Sequence, residues 1–60
     1  EDLMQKLSAV DEKLGLVAEC RLFGGFSMPE TAEAVGIPLR SAERYWMRAK
    51  AYLLQAFAES

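Results

Sequence analysis

Apolar residues recur along most of the chain at intervals of three and four, and no stretch alternates as a strand would. That spacing is the period of an α-helix. The abundance of Ala, Leu, Glu, Lys and Arg favours the same conformation. The pattern predicts four helices. The first spans roughly Asp2 to Ala9, with Leu3, Leu7 and Val10 on one side. The second begins near Asp11, where Asp11 and Glu12 suit a helix N-terminus. It runs through "EKLGLVAECRLF" and stops at Gly24-Gly25, a glycine pair placed as a C-terminal stop. Gly15 lies inside it and is expected to weaken it by up to about 1 kcal/mol relative to Ala.

The third helix has a legible start. Ser27 is followed three residues later by Glu30, the capping-box pattern. Pro29 falls in the first turn, where a missing N–H costs nothing. Phe26 is expected to pack on the core and Met28 at the helix entrance, Ala32 and Val35 to face inward, and Gly36 to end the helix. Pro38 sits at the start of the fourth and longest helix, about Leu39 to Ala58. Its apolar positions Ala42, Trp46, Ala49, Leu53 and Phe57 follow at spacings of four, three, four and four. That is a continuous inward stripe, which Ala56 widens. The expected fold is all-α: a single small four-helix domain over residues 1–60, ending in a helix-turn-helix at about 27–48 with a long recognition helix.

Composition narrows the class. The chain has 60 residues, 52% hydrophobic and 27% charged, which suits a single soluble domain rather than a membrane span or a disordered tail. No apolar run approaches the ~18 residues a spanning helix needs. No basic-then-apolar leader is visible, and the chain opens on Glu1 rather than Met, so it reads as a fragment of a longer protein. Cys20 is the single cysteine, expected to be a buried small hydrophobe in a reducing compartment. There is no histidine, which removes the commonest metal ligand and general base. Neither a nucleophile paired with a base nor a phosphate-cradling glycine loop is present. An enzyme, a bound metal and a cofactor are therefore not expected.

Charge redirects the reading. The net charge is −2, but residues 1–36 hold seven acids against three bases, whereas residues 37–60 hold four bases against two acids. The cations Arg40, Arg44, Arg48 and Lys50 all lie on the fourth helix. The two helices flanking "VGIP" have helix-turn-helix spacing. Ala32 is the small residue over which the second helix crosses. Gly36, four positions on, tolerates positive φ. Ile37 plugs the gap, and Ala42, six beyond the glycine, faces the core. If Ala42, Trp46, Ala49 and Leu53 point inward, Arg40, Glu43, Arg44, Met47 and Arg48 point outward. This is where a recognition helix meets base edges and phosphates in the major groove. The plain alternative is a solvated charged face on a helical hairpin. Ser41 suits a phosphate or simply the helix start. Trp46 is expected in the core and Tyr45 at the groove edge.

With those residues in view, the chain resembles region 4 of a bacterial RNA polymerase sigma factor, more narrowly of the extracytoplasmic-function (ECF) group. "VAECRLFGGFSMPETAEAVGI" is similar to that family's apolar helix, glycine-containing turn, Ser, Glu-x-Ala and Val-Gly-Ile turn. "SAERYWMRAKAYLLQAF" is similar to its Thr-Val-Lys-Arg-x-Trp helix followed by Ala-Arg-x-x-Leu. The resemblance implies binding of the minus-35 promoter element through the recognition helix and docking on the β flap of RNA polymerase core. It also implies cover by an anti-sigma factor, a cytoplasmic setting without membrane contact, and a functional monomer. Arg40, Ser41, Glu43, Arg44, Met47 and Arg48 would then line the DNA face, with Arg44 at a basic position of the family. This chain departs from the pattern at Ser41 for Thr, Ala42 for Val, Glu43 for Lys, and Pro38 for a capping Ser. Two other functions fit the same residues. One is a LuxR-type or other helix-turn-helix regulator that binds operators as a dimer. The other is a helical protein-interaction module without DNA binding.

Overall fold

The two middle helices begin and end at local hydrogen bonds that the sequence supplies. A computed structural model describes residues 3–59, with the side chains of 5–58. Its helices are α1 (Leu3–Val10), α2 (Glu12–Leu22), α3 (Met28–Val35) and α4 (Leu39–Glu59), and no strand occurs among the described residues. The expected start of α1 at Asp2 and the inward packing of Leu3 lie outside the described residues. Asp11 separates α1 from α2. Its amide donates to the Leu7 carbonyl at 3.0 Å, closing α1. Its carboxylate accepts from the Lys13 amide at 2.9 Å, capping α2.

At the end of α2, the amides of Phe23 and Gly24 both donate to the Glu19 carbonyl, and Phe26 donates to Cys20. The α3 capping box is complete. Ser27 Oγ accepts from the Glu30 amide at 3.3 Å, and Glu30 Oε1 accepts from the Ser27 amide at 2.8 Å. Hydrogen bonds to the carboxylate from Ser27, the backbone amide foremost and then the hydroxyl, hold the Glu30 carboxyl below its ordinary range. A depressed carboxyl contributes stability that is complete above its unfolded value and is lost as pH falls through its folded one. Thermal melts across the acid range are therefore expected to show a fall in stability that Glu30→Gln flattens. An unchanged pH profile in the variant would remove Glu30 from the cap.

The core is built from few large side chains. Leu7, Leu14, Val17, Ala18, Ala32, Ala42 and Ala49 are buried, with Thr31 as the buried polar residue. Leu7, Leu14, Ala18 and Ala49 form one cluster, and Tyr45 and Trp46 pack against it. α2 is central, packing on α1, α3 and α4. The protein measures 33 × 18 × 17 Å. At about 1.5 Å per residue, α4 alone accounts for the long dimension.

Several packing expectations need correction. Val10 is 53% exposed, because the chain reverses at Asp11 while α2 covers the Leu7 side. Phe57 is 75% exposed. Each step of four residues overshoots a full helical turn by about 40°, so two such steps from Ala49 carry Phe57 about 80° out of the inward stripe. Leu53 and Ala56, nearer the stripe's centre line, are half-buried. Trp46 is likewise half-buried, at the edge of the core. Cys20 and Phe26 are not core residues. They line a surface groove with Leu16, Glu19, Phe23 and Gly24.

Gly15 does more than weaken a helix. It is fully covered, and a Cβ there would lie 3.1 Å from Ser8 Cα and would run into Ser8 Oγ. The absent side chain is what lets α1 and α2 approach. Helix propensity alone predicts that any larger residue but proline stabilises α2. Here Gly15→Val is expected to lower stability by about 1–3 kcal/mol through overpacking, read as a drop in the thermal midpoint by circular dichroism. A raised midpoint would show that the close approach is not required.

Candidate nucleic-acid interface

The turn between α3 and α4 sets the site. Gly36 adopts φ 80°, a left-handed conformation that costs other residues a steric penalty. The amides of Gly36 and Ile37 both donate to the Ala32 carbonyl, at 2.9 and 3.0 Å. The chain thereby doubles back within three residues, Gly36 to Pro38. The Pro38 carbonyl accepts from the Ala42 amide at 3.0 Å, which starts α4. Ala32 and Ala42, both buried, keep the two helices close. This is the arrangement expected of a helix-turn-helix.

Burial then fixes the rotation of α4. Ala42 and Ala49 are both 0% exposed and mark its inward line. Arg40, Glu43, Arg44, Met47 and Arg48 are exposed, and Ser41 is half-buried. At about 100° per residue, Arg40, Arg44 and Arg48 occupy roughly 80° of one side. Ser41, Arg44, Tyr45 and Arg48 bound a notch of about 190 Å³. Tyr45 forms part of its inner wall and packs on the core cluster, as its expected packing role requires.

Arg21 was not evident from the sequence as part of this region. Its Nη1 donates to the Phe26 carbonyl at 2.5 Å, and its guanidinium lies 5.2 Å from the centre of the Trp46 ring. Its Nε is buried without a hydrogen-bond partner. One side chain thus joins α2, the entrance to α3 and α4. Lys50 Nζ also lies 5.9 Å from that ring. Both cations sit within cation–π range. The available signal was a basic residue in the last turn of α2, a position favoured by the helix dipole but common enough to pass unnoticed.

A family model described as ECF sigma factor matches residues 1–59. The chain belongs to the ECF sigma factor family. Its family-level role is recognition of promoters for RNA polymerase, and the family is not one of enzymes. No curated protein and no solved structure matches the chain. In this ECF sigma factor the acidic residues of 1–36 are separate in sequence from the arginine face of α4, so a net charge of −2 coexists with a basic surface. Among the described residues, no helix is long and apolar enough to cross a membrane.

Proposed function

We propose that this chain is the region 4 domain of an ECF sigma factor and binds the minus-35 promoter element in the major groove. The supporting observation is the rotation of α4. Burial of Ala42 and Ala49 turns Arg40, Arg44 and Arg48 outward together on a helix that follows a tight glycine turn. The proposed DNA face is Arg40, Ser41, Glu43, Arg44, Met47 and Arg48. Arginine pairs with guanine edges or phosphates, and Glu43 can accept from a cytosine amino group. The small number of cations implies weak affinity alone. Docking on the β flap of RNA polymerase core would supply the missing affinity as effective concentration, in the cytoplasm and as a monomer.

The test is selection of bound sequences from a randomised duplex library by RNA polymerase holoenzyme carrying this sigma factor. The expected result is an enriched element about 35 base pairs upstream of the transcription start, with its base preference changed by Glu43→Lys. Enrichment that leaves that upstream position random would contradict the proposal.

A further inference from the structure

We propose that the notch bounded by Ser41, Arg44, Tyr45 and Arg48 is a binding site for a single DNA backbone phosphate, and that Arg40, Glu43 and Met47 carry the base preference. This division of labour rests on the DNA-binding reading above and says how that face is used. The four notch residues stand at i, i+3, i+4 and i+7, so they form one ridge of α4. The two hydroxyl residues, Ser41 and Tyr45, are half-buried and form its inner wall. Tyr45 is held there by the core cluster, so its position is fixed before any ligand arrives. The two guanidinium residues, Arg44 and Arg48, are exposed and form the outer wall. All four side chains can donate hydrogen bonds, and no acidic residue lines the notch. A phosphodiester presents only acceptors and a negative charge. A guanine edge also presents acceptors, but it carries no charge to match two guanidinium groups.

Placement on the helix agrees with the chemistry. The ridge is centred roughly 80° round α4 from the line directly opposite Ala42 and Ala49. A helix lying in the major groove turns its outermost line toward the bases and its flanks toward the phosphate walls. Arg40 and Met47 lie close to the outermost line, and Arg44 borders the notch on the side nearest it. Glu43 lies about 70° from that line on the opposite flank, so no carboxylate faces the phosphate held in the notch.

The test uses the chain and the best duplex it selects from a randomised library. Methylphosphonate is introduced at one backbone position at a time to remove single charges. One position is expected to weaken wild-type binding by about tenfold, the scale of one lost charged contact. That position should cost little further in Arg48→Ala, and Tyr45→Phe should lose part of the same effect while retaining its packing. The selected sequence should be unchanged in Arg44→Ala and Arg48→Ala and changed in Glu43→Gln. A sequence preference altered by either arginine variant, or phosphate effects that simply add to theirs, would overturn the notch while leaving DNA binding intact. Failure to enrich any duplex, both by the wild-type chain and by RNA polymerase holoenzyme carrying it, would overturn both readings.

Discussion

Replacing Leu14 with alanine is expected to leave much of the protein unfolded under conditions where the parent is folded. Leu14 is 0% exposed and belongs to the cluster with Leu7, Ala18 and Ala49. Among the described residues, Leu7, Leu14, Val17 and Thr31 are the largest fully buried side chains, so few can relax into the space. Truncating a buried leucine costs about 2–5 kcal/mol, including the cavity left behind. At about 0.05–0.15 kcal/mol per residue, a domain of this length has only some 3–9 kcal/mol in total. One substitution therefore removes a large share of the stability. Leu54→Ala is the control, since Leu54 is 69% exposed and its loss should move the midpoint little. Urea titration followed by circular dichroism checks both. Equal midpoints for the two variants would mean that the core does not centre on Leu14.

The second large effect concerns binding rather than folding. Replacing Arg40, Arg44 and Arg48 together with alanine is expected to weaken DNA binding by more than about 100-fold while leaving helix content unchanged. The three side chains are exposed and alanine favours helix, so the fold has no reason to suffer. Each phosphate or guanine contact is worth about 1 kcal/mol or more, and three such losses give the stated factor. Fluorescence anisotropy with a selected duplex reads the affinity. Binding retained within a fewfold would place the DNA contact elsewhere and favour a protein-interaction role for α4.

The elements that could be read from the sequence are those specified within one or two turns. Ser27 and Glu30 define the start of α3, Gly36 its end, and Leu39 opens α4 as expected. The rotation of α4 near Ala42 and Ala49 was legible for the same reason, since a nearly in-phase repeat of small residues marks a line where another helix comes close. What escaped depends on residues distant in the chain. Gly15 looked like a defect because nothing nearby announces that Ser8 lies against it. Phe57 looked inward because the spacing of four persists after the stripe has drifted out of phase. Arg21 looked like an ordinary surface cation, and only the fold brings it to Trp46 and the Phe26 carbonyl. Thr31, polar and fully buried beside Ala32, gave no outward sign of that burial.

The central claim is that α4 presents a small basic face to DNA, and the salt dependence of binding tests it most directly. Arg40, Arg44, Arg48 and Lys50 are the cations of residues 37–60, and Lys50 lies against the Trp46 ring. At about 0.9 per neutralised phosphate, the plot of log affinity against log salt for the chain and its selected duplex should fall with a slope no steeper than roughly −3 to −4, the limit set by these four cations. A flat plot, or tight binding with a slope far steeper than −4, would contradict the account.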